Sequence, residues 1–322
     1  MHQPSGRWRF GLAMALTTAV MWGLLPIALK GVLTTLDVIT ITWYRFAAAA
    51  VIVGGVYAVR GGFRWRQLSQ RRLAIPMGVA VIALLSNYWF YLVGLDHSTA
   101  EAAQVMIQLA PMLLLVLSLW VYKESFSVIQ GLGLVAFLIG LSLFFNLRLP
   151  QLIEEVTAAN GTYSMGLGFI VLAAITWAIY GLAQKRLLKD FNSQEVLLVI
   201  YIGGTIAFLP AASPLDVVEL DSLQVGYLIF AALNTVVAYG AFGFAMEHWE
   251  ASRVSATITI VPILTVFFVY ITSLVLPGTI EPEPMNHWSV LGALMVVSGS
   301  MTIALVRTKL PQENLPQALD SQ

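Results

Sequence analysis

The sequence predicts an all-α polytopic membrane protein, in which ten transmembrane helices form two inverted five-helix repeats with both termini in the cytoplasm. Three observations carry this prediction: the composition, the long segments without charge, and the uneven distribution of basic residues. Of the 322 residues, 58% are hydrophobic and 11% are charged, against roughly 45–50% apolar and about 25% charged in soluble domains. A soluble globule of this size would lack the polar side chains to cover its surface.

The same composition excludes several kinds of function. The 17 basic and 17 acidic residues balance, so the chain offers no basic surface for nucleic acid. Because it contains no cysteine, it has no disulfide, no thiolate metal site and no cysteine nucleophile. Four histidines leave little for metal or triad chemistry: His2, His97, His248 and His287. We therefore expect neither an enzyme nor a protein that holds a metal or another cofactor.

Ten segments are long and apolar enough to cross the hydrocarbon core, which takes a helix of about 20 residues. In chain order they are residues 10–29, 40–59, 73–95, 102–122, 125–147, 156–184, 196–215, 222–246, 254–280 and 284–306. The loops between them are short, except for the polar segment 148–164. We therefore assign residues 1–148 to a first five-helix repeat, 149–164 to a central linker, 165–307 to a second repeat and 308–322 to a cytoplasmic tail.

The lysines and arginines predict the orientation, because cytoplasmic loops carry the positive excess. With the N-terminus inside, the outer segments hold only Lys30 and Arg148, and Arg45 lies within the second span. The remaining basic residues all fall on the inner side: Arg7, Arg9, Arg60, Arg64, Arg66, Arg71, Arg72, Lys123, Lys185, Arg186, Lys189, Arg253, Arg307 and Lys309. A missed or extra helix would place many of these basic residues on the outer side. Their uneven distribution therefore supports ten spans.

The two halves of the chain repeat each other in sequence. The first and sixth spans match at an offset of 155 residues, and the ends of the third and eighth spans, with the spans that follow, match at an offset of 151. The matched pairs include Gly11/Gly166, Trp22/Trp177, Lys30/Lys185, Asp96/Glu247, His97/His248, Pro111/Pro262, Gly133/Gly292 and Gly140/Gly299. Because each repeat has five spans, the second must enter the membrane from the opposite side. Inverted repeats of this kind are typical of secondary transporters.

The order of motifs resembles a known family. A tryptophan lies in the middle of the first span of each half, and residues 44–48 open the second span with Tyr-Arg-Phe-Ala-Ala. The fourth span has a central proline, Pro111, and ends at Glu124; the fifth begins Gln130-Gly131. Over nearly all of residues 10–307 this order resembles the drug/metabolite transporter superfamily and, within it, the ten-helix EamA type. The resemblance implies a transporter of amino acids, other metabolites or drugs.

Two positions depart from this pattern. The second half lacks a glutamate corresponding to Glu124, and Ile200 stands where the 155 offset would place a partner of Arg45. In addition, the four-helix multidrug members of the superfamily carry an essential glutamate in the first span, which here has no acidic residue. The resemblance therefore does not extend to proton-coupled cation export by that mechanism.

Arg45 is the outstanding candidate for a binding residue. It lies about five residues inside the second span, where a charge is costly and usually marks a partner or a transport pathway. Its guanidinium could hold a substrate carboxylate in bidentate fashion. The alternatives are an arginine that extends to the outer interface, or one that pairs with Glu101 to fix the helices.

Polar residues follow one face of the fourth span and recur at matching positions of the ninth. Spacings of three and four residues place them on a single helix face. Such residues avoid lipid, so both faces should border other helices or a wet cavity; ordinary interhelical hydrogen bonding is the alternative. The residues are Glu101, Gln104 and Gln108 in the fourth span and Ser252, Ser255 and Thr259 in the ninth.

Aromatic residues complete the candidate site. Trp22 and Trp177 lie near mid-span at equivalent positions, which suits the walls of an apolar site, although packing would place them there as well. Further candidates within the spans are Tyr44, Tyr91, Tyr180 and Asn87, with Asn234 as a secondary one.

The sequence thus predicts a secondary active or facilitative transporter that exports amino acids or related small metabolites by alternating access. Efflux of multiple drugs or other cationic compounds is the alternative, with Glu101 as the membrane acid. The expected partners are a small-molecule substrate and the lipid bilayer, with no nucleic acid. We expect a monomer that spans the inner cell membrane several times.

Overall fold

The computed structural model describes residues 7–62, 68, 70–122, 127–158 and 161–305. Helices dominate this part of the chain: α1 (Trp8–Leu33), α2 (Val38–Arg60), α3 (Arg71–Asp96), α4 (Ala100–Met106), α5 (Leu109–Tyr122), α6 (Val128–Phe144), α7 (Leu149–Ala158), α8 (Thr162–Leu187), α9 (Ser193–Phe208), α10 (Ser222–His248), α11 (Ala251–Ile258), α12 (Val261–Val275) and α13 (His287–Leu305). Two 3₁₀ turns, Leu209–Ala211 and Pro214–Glu219, separate α9 from α10.

The spans agree with the predicted polytopic fold. In the described part of the chain, nine helical segments are long and apolar enough to cross a membrane, or ten if α6 and the bent continuation into α7 count as one span. The fourth span consists of α4 and α5, and the ninth consists of α11 and α12. The all-α polytopic prediction is therefore confirmed, whereas the repeat boundaries and the placement of the termini stay predictions.

The central linker differs from the simple polar loop that the sequence suggested. Residues Leu149–Ala158 form α7, which turns by 88° from α6, and the sixth span begins only at Thr162. The uncharged residues after 156 concealed this boundary. Leu149, Ile153 and Val156 are exposed at spacings of four and three on α7, an amphipathic pattern typical of a helix that lies along a membrane surface.

Local sequence explains where several helices begin. Asp37 accepts hydrogen bonds from the first backbone amides of α2, and Ser127 forms a capping box with Gln130 at the start of α6. Asn192 at α9 and Asp221 at α10 do the same with a glutamate and a glutamine three residues later. These caps satisfy amides that the helices themselves leave unpaired.

The helices pair across the two halves with two-fold symmetry. Extensive packing joins α3 to α8 and, in the equivalent arrangement, α10 to α1. Likewise α5 packs on α8 as α12 packs on α1. The remaining principal pairs, α6 with α13 and α2 with α9, are each formed by equivalent helices. This pattern is the packing expected of two interlocked repeats.

Close contacts between glycines of α6 and α13 show where the pseudo-two-fold axis lies. Gly133 meets the backbone of Gly299, and Gly140 meets the backbone of Gly292, so closely that a Cβ atom would lie within about 3 Å of the facing chain. Gly133 is equivalent to Gly292 and Gly140 to Gly299, so each contact is the symmetry copy of the other. The two helices therefore run antiparallel, and the axis passes between them in the membrane plane, as an inverted repeat requires.

Both polar spans are interrupted at equivalent places. The fourth breaks at residues 107–108 and the ninth at residues 259–260, in each case a few residues before the paired prolines Pro111 and Pro262. The Gln108 side chain donates from Nε2 to the Thr259 carbonyl at 3.1 Å. Since Gln108 and Thr259 are themselves equivalent, the two breaks meet near the centre of the molecule.

Candidate functional site

Arg45 is buried at the centre of the bundle. Its side chain is 4% exposed, its Nε donates to Thr235 Oγ1 at 3.2 Å, and its guanidinium lies 4.5 Å from the centroid of the Tyr88 ring. In the described residues no carboxylate forms an ion pair with it, and neither Nη nitrogen donates a hydrogen bond. Arg45 is therefore buried among the helices and does not pair with Glu101 within the described residues.

Aromatic side chains surround this cation. Tyr201 donates its hydroxyl to the Thr235 carbonyl at 3.1 Å, and the Phe46 ring lies 4.7 Å from that of Tyr88. Tyr180 belongs to the same cluster, and Trp177 and Tyr239 border it. Aromatic faces attract a guanidinium at such distances. The cluster thus holds Arg45 in place while leaving donors on its Nη atoms available.

A second set of contacts links this region to the fourth span. Tyr91, three residues after Tyr88 on the same helix face, donates its hydroxyl to Gln104 Oε1 at 3.0 Å. The Gln104 amide donates to the Trp22 carbonyl at 3.2 Å, and the Trp22 ring packs edge-on against Tyr239 with centroids 5.5 Å apart. Gln104 therefore joins α1, α3 and α4 around the Arg45 cluster.

The fourth and ninth spans are packed differently in their two halves. On the predicted outer side α4 packs against α12, whereas on the inner side α5 and α11 have at most marginal contact within the described residues. A shallow depression of about 340 Å³, open to the surface, lies between α11 and α13 and reaches Ile260 at the break. Within the described residues, the fourth and ninth spans therefore pack together at their predicted outer halves and have little contact at their predicted inner halves.

Five residues close the predicted outer face, and we call them the outer cluster: Thr99, Glu101, Arg148, Tyr163 and Glu283. Arg148 Nε donates to Glu283 Oε1 at 2.8 Å, and Tyr163 donates to Glu283 Oε2 at 3.1 Å. The Thr99 hydroxyl donates to the same Oε2 atom. The Glu283 amide in turn donates to Glu101 Oε1 at 3.1 Å. Glu283 thus connects the loop before α13 to α4, α8 and the end of the fifth span.

A family model matches each half of the chain separately. The EamA-like transporter family matches residues 9–146 and again residues 164–305. This chain belongs to the EamA-like transporter family. Two family-length matches at these positions agree with the two-repeat packing and with the family resemblance of the motifs.

Relatives of this EamA-like transporter extend over nearly its whole length. The uncharacterized inner membrane transporter YhbE of Escherichia coli K12 is 38% identical over 95% of this chain and 93% of its own length. An uncharacterized transporter of Haemophilus influenzae is 37% identical over 94% of this chain and 97% of its own length. The chain is therefore a multi-pass protein of the inner membrane.

A crystal structure of a protein that shares 15% sequence identity matches the fold with a TM-score of 0.61, over 93% of this chain and 96% of the other. At this identity the likeness concerns the fold alone. It covers nearly the whole of both chains, so the fold is not peculiar to this sequence.

The predicted site residues divide into three groups in the EamA-like fold. Arg45, Trp22, Tyr91, Gln104, Trp177 and Tyr180 lie in or beside the central aromatic cluster, with Gln108 and Thr259 at the adjoining breaks. Ser255 lies on the inner helix α11, partly exposed. Tyr44, Asn87 and Glu101 make their contacts outside the central aromatic cluster. Tyr44 donates to the Pro214 carbonyl at 2.6 Å at the outer face, and Asn87 donates to the Ala173 carbonyl at 2.8 Å between α3 and α8.

Sequence reasoning missed Thr235, Tyr201 and Glu283. The helix caps of α6 and α13 provide a second alignment of this region, in which Glu124 has a counterpart. Asn286 caps α13, accepting from the Ser289 amide, as Ser127 caps α6. The offset at these caps is 159, the same as between the glycine pairs, and it aligns Glu124, which lies outside the described residues, with Glu283. The offset of 159 residues between the glycine pairs is the sequence signal that could have identified Glu283.

Proposed function

We propose that this protein is a secondary transporter that exports amino acids or related small carboxylates by alternating access. The observation that carries the proposal is Arg45. Within the described residues this buried guanidinium has no acidic partner and its Nη atoms donate no hydrogen bond, so it is suited to bind a carboxylate in bidentate fashion. Burying a charge within a membrane span is energetically costly, which argues for a function of Arg45 beyond packing.

The arrangement of the fourth and ninth spans supports alternating access. Broken helices that meet at the centre of an inverted repeat are a common frame for transporter sites. In the part of the chain that the structure describes, the two breaks meet through Gln108 and Thr259. The outer halves of the two spans pack together and the inner halves have at most marginal contact. We take this to be an inward-facing arrangement of a single chain, with both termini in the cytoplasm.

The contacts of Glu101 do not favour the alternative of cation efflux. Its carboxyl group is 1% exposed and is held by the Glu283 amide near the outer face. It therefore does not border the Arg45 cluster, where a cationic substrate would meet an unpaired positive charge.

The test is uptake of radiolabelled amino acids into proteoliposomes, driven by counterflow. Arg45→Gln removes the guanidinium, and we expect a loss of affinity of about 2–5 kcal/mol, as for other buried charge partners, which is roughly 30-fold or more. Arg45→Lys should restore only part of it, because an ammonium cannot form the bidentate contact. Arg186→Gln, which alters a surface pair with Asp190, is the matched control. Absence of flux for every amino acid would refute the substrate proposal.

A further inference from the structure

Glu101 is a buried carboxyl group whose two oxygens have unequal surroundings. Oε1 accepts the hydrogen bond from the Glu283 amide, whereas Oε2 is buried and has no hydrogen-bond partner in the described part of the chain. An ionised carboxylate offers about four acceptor sites. The Glu101 backbone amide also contributes to its own carboxyl group, but ionised Glu101 would still be a buried charge with one oxygen, Oε2, lacking a hydrogen-bond donor in the described residues, a state that proteins avoid.

The charged groups around Glu101 do not compensate it. Lys30 of α1 directs its Nζ to the Asp96 carbonyl at the end of α3, 3.2 Å away. Arg148 is engaged with Glu283, whose negative charge opposes a second one nearby. The other titratable groups in the neighbourhood are Glu281 of the same loop, Tyr163 of α8 and His97 after α3; α12 presents no charged residue. In the described residues none of these forms an ion pair with Glu101.

We propose that Glu101 is a proton-binding site that is occupied while the outer face is closed. A proton from the outer solution binds to the carboxylate as the outer halves of the fourth and ninth spans come together, and the neutral acid is then buried. When these halves separate, water reaches the group and the proton returns to the outer solution. A higher outer proton concentration therefore stabilises the closed outer face.

The site belongs to one side of the membrane only. At the 151 offset the residue equivalent to Glu101 is Ser252, so the second repeat supplies no matching acid on the inner side. The inference rests on the proposed alternation between closed and open outer faces and is independent of the identity of the substrate.

Infrared difference spectroscopy of the reconstituted full-length protein detects the bound proton directly. We expect the absorption of a buried, protonated carboxylic acid in the wild type, its loss in Glu101→Gln, and its retention in Glu281→Gln, which alters an exposed acid in the same region. An absorption that is unchanged in Glu101→Gln, or absent from the wild type near neutral pH, would overturn the proposal.

A distance measurement tests the coupling to closure. Because the chain has no cysteine, spin labels at Thr157→Cys and Thr279→Cys, both exposed at the outer face, report on the separation across the outer cluster. We expect the wild type to shift to longer distances as the pH rises, and Glu101→Gln to keep the short distance at every pH.

A control variant tests whether the pH response belongs to Glu101 or to a nearby histidine. His97→Asn removes the histidine beside Asp96 and should leave the pH response in place. A pH response that survives in Glu101→Gln, or that disappears in His97→Asn, would assign the titration to another group and contradict the proposal. Neither readout needs a transported substrate. Protein that moves no amino acid but shows both signals would therefore refute the substrate proposal and support this one.

Discussion

The outer and inner halves of the fourth and ninth spans are related by the repeat symmetry, yet they are packed differently. The predicted outer halves, α4 and α12, are in contact beneath the outer cluster, whereas the predicted inner halves, α5 and α11, have at most marginal contact within the described residues. The two repeats have the same helix order and share paired glycines and prolines. The difference in packing between the outer and inner halves therefore does not arise from the fold. In the proposed mechanism, the symmetry would relate two equivalent arrangements of these spans, of which the structure represents one, and particular side chains would decide between them.

Replacing Glu283 should change the packing of the outer halves more than any other substitution considered below. In Glu283→Gln the contact with Arg148 loses its charge, and the closed outer face should be destabilised by about 2–4 kcal/mol, somewhat less than for a fully buried pair because Arg148 is a quarter exposed. The spin labels at positions 157 and 279 should then report a longer distance. A double-mutant cycle with Arg148→Gln separates the pair from its surroundings; additive effects would show that the two residues do not act together.

Gly292 should matter next, because it holds the two halves together without favouring either arrangement. A Cβ atom at this position would lie 2.3 Å from the Phe144 amide nitrogen and 2.6 Å from the Gly140 carbonyl, so Gly292→Ala must separate α6 from α13. We expect a loss of about 1–3 kcal/mol, measured as a lower unfolding temperature in detergent. Gly168→Ala, with no atom within 4 Å of the added carbon, is the control. A loss in Gly168→Ala as large as that in Gly292→Ala would refute the explanation by close packing.

The asparagines between paired helices should have the smallest effect. Asn87 joins α3 to α8, and Asn234 joins α10 to α1 through the Met21 carbonyl at 2.6 Å. Replacing either by alanine should cost on the order of 0.6 kcal/mol, as for interhelical hydrogen bonds in other membrane proteins. Both bonds lie within pairs that we expect to stay intact during alternation, so the label distance should not change. A changed distance in either variant would show that these pairs move.

Much of the fold could be predicted from the sequence because the bilayer restricts the possible solutions. Uncharged segments indicated the spans, and the glycines that the sequence pairs as equivalent lie where α6 and α13 touch, Gly133 against Gly299 and Gly140 against Gly292. The helix α7 was missed because an amphipathic helix along the membrane surface is short and polar enough to resemble a loop. Its position depends on the bend after α6, which no local pattern specifies.

The candidate site could be predicted only in part. Arg45 was evident, since a charge within an apolar span has few explanations, and Gln104 and Gln108 followed from helical spacing. Tyr88, Tyr201 and Thr235 were not evident, because tyrosine and threonine are ordinary in membrane helices and gain their meaning only from the packing of α3, α9 and α10. Glu283 was hidden in a loop whose alignment with the first repeat changes offset.

The accessibility of two equivalent positions tests the central claim most directly. Gln104 lies on the outer helix α4 and Ser255, at the 151 offset, on the inner helix α11. In oriented vesicles, a membrane-impermeant maleimide should label Ser255→Cys from the inner side and leave Gln104→Cys unlabelled from both sides. Adding Glu283→Gln should expose Gln104→Cys to reagent on the outer side. Labelling of Gln104→Cys from the outer side without that change, with Ser255→Cys protected, would contradict the account.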